Sequence, residues 1–264
     1  MFKNTENKEK DLERLRKFRL MDDDFMSKVF DNNIEATQLL LNIILQRNDI
    51  KVFSVQAQRE FKPISGHSVR FDIFAQDNTG KPYDIEIQRA DKGASPQRAR
   101  YNSAVLDTTI LPKGKEYSDL LETYIIFITE HDVLQKGLAL YHIERKIIET
   151  NELLNDGAHI IFVNGQYNNS SDDIGKLMHD FRCTNGNDMK YKILAERVNY
   201  FKNTEGGSNA MCKMMEDMRK EASQEKAIET AVNMLKDNLS LEKTAQYSGL
   251  SLDEVKKLKD ENNL

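Results

Sequence analysis

The sequence predicts a mixed α/β fold followed by a C-terminal helical extension. Two observations in the first part of the chain point there. Apolar residues recur with helical period before residue 47, and alternating and then continuous apolar runs of strand length follow. A third is a change of composition around residues 204–209, after which the pattern is helical again. At 264 residues the chain suits one large domain, or one of about 200 residues with an appendage.

Taken in order, residues 1–20 form a charged segment in which Lys and Arg outnumber Asp and Glu by 7 to 4 over residues 3–20. A first helical pattern turns Phe25, Val29 and Phe30 one way. A second, from Ile34 to Gln46, aligns Leu39, Leu40, Ile43 and Ile44. Val52–Val55, Val69–Phe74 and Tyr83–Gln88 alternate as half-buried strands do, whereas Tyr124–Thr129 and His159–Val163 read as fully buried strands. Residues 97–110 and 142–154 read as helices. All four prolines, Pro63, Pro82, Pro96 and Pro112, fall at the edges of apolar runs, where loops are expected. The single Gly-Gly pair, Gly206-Gly207, marks the boundary between a domain at 21–204 and a helical region at 209–264. In that region Met211, Met215, Met218 and Ala222 step by helical spacing, as a short coiled-coil seam or an ordinary packed helix would.

Composition excludes several classes. Forty-three acids against 38 Lys and Arg give a net charge of −5, which argues against a protein that coats nucleic acid by charge alone. No apolar run approaches a membrane span, and the first residues lack the apolar core of a signal peptide. Cys183 and Cys212 form no C-x-x-C pattern, so a cytoplasmic protein is expected. No phosphate-binding glycine loop, dinucleotide fingerprint or serine-hydrolase elbow occurs. The five histidines show no metal spacing and no Cys partner, and read as structural or surface residues.

The informative segment is Arg70–Gln88. A three-residue turn Asn78-Thr79-Gly80, with Gly80 in the left-handed region, pairs positions whose numbers sum to 158. Asp72 then lies across from Glu86 on one face, and Phe74 across from Asp84. An even-length loop would separate the two acids onto opposite faces. Carboxylates directly opposite repel unless a divalent cation joins them. Mg²⁺ suits such oxygen ligands, and can polarise a phosphodiester and activate water. Gln88 shares the face and could orient water, but an amide cannot deprotonate it. The alternative is a solvent-facing hairpin whose polar side is simply wet.

This acid, then Glu-x-Gln on the next strand, between two helices, resembles the PD-(D/E)XK nuclease core. More specifically the chain resembles the Rpn family of recombination-promoting nucleases, or PD-(D/E)XK family transposases. The matching stretches are Met21–Phe30, Val69–Ile73, Tyr83–Gln88, Arg98–Asn102, Thr123–Thr129, Leu239–Lys243 and Gly249–Glu254. The resemblance implies a restriction-endonuclease-like core, a central mixed sheet flanked by helices. It also implies Mg²⁺-dependent cleavage of DNA, with Mn²⁺ as a substitute ion, linked to mobile elements or recombination. Asp72, Glu86 and Gln88 take the catalytic positions, Gln88 standing where the wider superfamily has lysine. Asp72 and Glu86 are the expected metal ligands. A further carboxylate from the preceding helix is expected at Glu35, with Asp23 as runner-up.

Following the hairpin, Arg89, Lys92, Arg98 and Arg100 oppose one acid, Asp91, a patch suited to DNA phosphates or merely a solvated helix start. Gln97 and Tyr101 are supporting candidates by the same resemblance. Near the C-terminus, Ala245, Gly249 and Val255 have helix-turn-helix spacing, and Ser251 with Glu254 forms a capping box. Acids at the start of the second helix disfavour base reading, so packing or a homo-oligomer contact is the expected role. The competing functional reading is a degenerate nuclease fold that binds DNA or protein without cutting.

Overall fold

In the computed structural model, which describes residues 2–61, 68–89, 91–111 and 113–262 without the side chains of residues 2–7, 91 and 92, a six-stranded mixed sheet lies at the centre of residues 13–207. Pro63, His67, Pro112 and the side chain of Lys92 lie outside the described residues. The strands are β1 (Val52–Phe61), β2 (Val69–Asp77), β3 (Pro82–Gln88), β4 (Thr123–Thr129), β5 (Leu140–Ile143) and β6 (Ala158–Asn164), in the order β1-β2-β3-β4-β6-β5. β1, β2 and β3 pair antiparallel, β3, β4 and β6 parallel, and β5 closes the far edge antiparallel to β6. This is the mixed sheet flanked by helices that the PD-(D/E)XK resemblance implies.

The helices are α1 (Phe2–Lys17), α2 (Asp23–Phe30), α3 (Ile34–Leu45), α4 (Pro96–Ile110), α5 (Asp173–Arg182), α6 (Lys192–Asn203), α7 (Glu205–Lys236), α8 (Leu241–Ser248) and α9 (Leu252–Glu261). α4 lays Ala99, Val105 and Leu106 on the sheet face that carries Ile125, Phe127 and Phe162. Ile126 and Ile128 point to the other face and are equally buried, while α2, α3, α5 and α6 pack together as a second layer. Burial of both faces explains why β4 reads as a continuous apolar run. Pro96 occupies the first turn of α4, where its missing N–H costs nothing, and Ser95 caps the helix by accepting the Arg98 N–H.

Two expectations are corrected. Residues 142–154 are not a helix: His142 and Ile143 complete β5, whose hydrogen bonds to the free edge of β6 outweigh the helical spacing of its apolar residues. Asn151, Asn155 and Gly157 then take positive φ in the loop that follows. The buried stripe of α3 is Ala36, Thr37, Leu40, Leu41 and Ile44, rotated from the expected Leu39 and Ile43, which are half-buried. Gly206 and Gly207 begin α7, and a Cβ on Gly207 would strike the Tyr200 carbonyl and the Phe201 backbone. The methionine stripe buries Met211 and Met215 but not Met218 or Ala222, so no extended seam forms.

Residues 1–12 and 208–264 make the second unit. Ala231, Leu235, Leu250 and Val255 form a small core joining the end of α7 to α8 and α9. Gly249 turns the chain at φ +78°, and the Ser251–Glu254 capping box starts α9, as the motif predicts. Asp11 receives two hydrogen bonds from Arg219, at 2.6 and 2.8 Å. Among the described residues no helix is long and apolar enough to cross a membrane.

Candidate active site

The β2–β3 hairpin determines what can meet. Asp77 accepts hydrogen bonds from the Thr79 N–H, the Thr79 hydroxyl and the Lys81 N–H, and Gly80 turns at φ +86°. The ladder pairs Gln76 with Pro82, Ala75 with Tyr83, Phe74 with Asp84 and Ile73 with Ile85, the register whose numbers sum to 158. Continued by one step, it puts Asp72 across from Glu86. Here the strands part, and the Ile87 N–H, leaving the ladder, donates to Asp72 Oδ2 at 2.9 Å. Gln88 Nε2 reaches both acids, 3.3 Å from Glu86 Oε2 and 3.5 Å from Asp72 Oδ2.

The face is not wet. Asp72 is 7% exposed, and Glu86 and Asp84 are fully buried. Burial, with Asp23 adding to it, pushes the Asp72 carboxyl up to about 6 against the pull of the Ile87 N–H, Arg98 and Arg70. Burial and then the neighbouring Asp72 push Glu86 up to about 8, and Arg98 opposes both. Asp84 is raised well above the carboxylate range by burial and by the neighbouring Glu86. The Asn102 amide donates to Asp84 at 3.2 Å.

Arg98 is the counter-charge. Its guanidinium donates to Glu86 Oε2 at 2.5 Å, to Gln88 Oε1 at 3.1 Å and to the Gly93 carbonyl at 2.9 Å, and lies over the Phe127 ring. Gly93 sits against this group: a Cβ there would meet Oε1 of Gln88 and push the amide aside. Even so, Glu86 Oε1 and Asp84 Oδ1 are buried with no hydrogen-bond partner. Two orphaned carboxylate oxygens beside Asp72 form an all-oxygen donor set, which a hard divalent cation such as Mg²⁺ fits.

A family model, that of the PD-(D/E)XK nuclease family transposases, matches residues 24–263. The chain belongs to this family. No curated protein and no solved structure matches it.

In this member of the family Asp72, Glu86 and Gln88 come together as the hairpin spacing predicts. Glu35 does not join them. It is exposed on the first turn of α3, outside the buried stripe, in a pocket with Ile193, Glu196, Arg197 and Tyr200. Asp23, at the start of α2, is the helix acid on this side: its charge acts on Asp72, and its Oδ1 accepts from Gln58 at 2.7 Å. Gln58 lies across from Asp72 in β1, between the pairs Ala57–Ile73 and Arg59–Phe71, with φ +54°. A non-glycine residue in the left-handed region costs about 1–3 kcal/mol and clusters at functional sites.

The expected phosphate grip is divided. Arg89 is already engaged by Asp22 at 2.6 Å and Glu130 at 3.3 Å, and Arg98 by Glu86. Arg100, Gln97 and Tyr101 line a groove of about 780 Å³ with Arg98, Asn102 and Arg70. Sequence reading assigned no role to Arg70, Asp84, Asn102, Gln58 or Gly93. The outward parity of Asp84, shared with Glu86 and Gln88, was the available signal for it. His179 does have a cysteine neighbour, correcting the expectation: Cys183 Sγ lies 3.6 Å from His179 Nδ1, beside Asp180. Both Asp180 oxygens already accept backbone N–H groups, of Lys190 and Tyr191, so this cluster ties down the end of α5.

Proposed function

We propose that the protein is a Mg²⁺-dependent DNA endonuclease that cuts phosphodiester bonds during rearrangement of mobile DNA. The observation that carries this is the pair Asp72 and Glu86, buried side by side with an orphaned Glu86 oxygen and with Gln88 spanning both. The family description supports strand cutting and DNA as substrate. Asp72 and Glu86 would hold the ion, with Mn²⁺ as substitute. When bound, the ion supplies charge to stabilise the scissile phosphate and to activate water.

The chain's own residues do the rest. The Ile87 N–H fixes one oxygen of Asp72, and Arg98 fixes one of Glu86, so each carboxylate keeps a single orientation. Gln88, whose amide does not titrate, holds the attacking water without taking its proton. Arg98 and Asn102 bridge the carboxylates and the groove, placing a cation where the phosphate backbone enters.

Nicking of supercoiled plasmid with Mg²⁺ or Mn²⁺ tests the reading. Wild type is expected to nick, and Asp72→Asn and Glu86→Gln to lose at least about 100-fold in rate, on the order of a single lost transition-state contact. Nicking by both variants at the wild-type rate would sink the assignment.

A second reading, a non-cutting module that binds DNA or protein, is favoured by the Arg98–Glu86 ion pair, in which a guanidinium already supplies the positive charge. It differs from the first in requiring no divalent ion at the carboxylates.

A further inference from the structure

The groove beside the carboxylates has a composition that duplex DNA does not explain. Arg70, Arg98 and Arg100 line it with no acidic residue among the described residues of its walls, and Tyr101 presents a partly exposed ring to it. Val69, Ala104 and the Tyr101 ring nonetheless give its walls apolar surface, unlike a groove built only for phosphates. Its volume of about 780 Å³ falls in the roughly 300–1,000 Å³ range of sites for small organic ligands.

Position adds to composition. Two of its residues also touch the carboxylates: Arg98 bonds Glu86, and Asn102 bonds Asp84. Arg70 stands two residues before Asp72 on the same strand, close enough for its charge to act on that carboxyl. A strand whose phosphate sits at Asp72 and Glu86 therefore continues past Arg98 into this groove. A paired base cannot use the ring, because both of its faces are covered by stacked neighbours. A base out of the stack can, and base–aromatic stacking is worth about 5- to 150-fold in affinity per base.

We propose that this groove holds a nucleotide displaced from the duplex, its base against Tyr101 and its flanking phosphates on Arg70 and Arg100. The protein would then prefer DNA with an unpaired nucleotide beside the cut, where the unstacking cost is least. This rests on the nuclease reading for where the strand enters, but its test does not depend on cutting.

The test is binding of the full chain to two otherwise identical DNA duplexes, one fully paired and one carrying a single-nucleotide bulge of 2-aminopurine. Ca²⁺ replaces Mg²⁺ to hold off cleavage. The bulged duplex is expected to bind at least about fivefold tighter, with quenching of the 2-aminopurine fluorescence. Tyr101→Phe keeps the ring and should keep both effects, Tyr101→Ala should abolish the preference, and Arg70→Ala should weaken both duplexes alike. Equal affinity for the two duplexes, or quenching that survives Tyr101→Ala, would overturn the inference. If the preference holds but no plasmid is nicked with Mg²⁺, the groove stands and the endonuclease reading fails. If plasmid is nicked but no preference exists, the reverse is true.

Discussion

At Glu86 a carboxyl lies fully buried between Asp72 and Asp84, and one guanidinium cannot offset the cost of charging it there. Its pKa of about 8 exceeds the ordinary 4.5, so the folded protein binds this proton more tightly than the unfolded chain does. The stability it contributes is complete below about pH 4.5 and is lost as the pH rises through about 8. Asp72 acts in the same direction, its contribution fading as the pH passes about 6. In the absence of divalent ions, urea unfolding of wild type is therefore expected to show falling stability between pH 5 and 9. Glu86→Gln, which carries no ionisable group there, should be less sensitive to pH, by a difference on the order of a few kcal/mol. Equal pH dependence in the two proteins would show that Glu86 holds no proton in the fold.

The β2–β3 hairpin converts sequence spacing into a site, because a slip of one residue would send Asp72 and Glu86 to opposite faces. Gly80 at φ +86° locks the turn, and a Cβ there must adopt a conformation that costs about 1–2 kcal/mol. Gly80→Ala is expected to lower urea stability by that amount, and a variant as stable as wild type would show that the turn does not set the register. The strands and this turn were legible because alternation and turn chemistry are local. Glu35 was misplaced because the choice between Asp23 and Glu35 depends on which helix end meets the sheet. That follows from how the stripes of α2 and α3 pack, and the α3 stripe lies one position off the expected one. Arg98 read as a phosphate contact because charge is visible in sequence, whereas its bond to Glu86 needs the angle at which α4 leaves β3. The left-handed Gln58 left no sequence signal, since glutamine shows no preference for that conformation. Residues 142–154 misled because an edge strand with a short apolar run can imitate a helical period.

Across the whole molecule, a net charge of −5 coexists with a confined cationic groove next to a buried acidic pair. Charge is therefore segregated, and DNA contact is expected at one place rather than over the surface. The helical unit at the C-terminus does not add to that grip at the start of α9, where Asp253 and Glu254 stand in the first turn. The proposed function turns on a divalent ion held by Asp72 and Glu86, and crystals soaked in Mn²⁺ test it most directly through anomalous scattering. The account predicts a peak within about 2.0–2.3 Å of oxygens of both Asp72 and Glu86. A fully soaked crystal with no peak there, or with its only peak at His179 and Cys183, would contradict it and leave the non-cutting reading in its place.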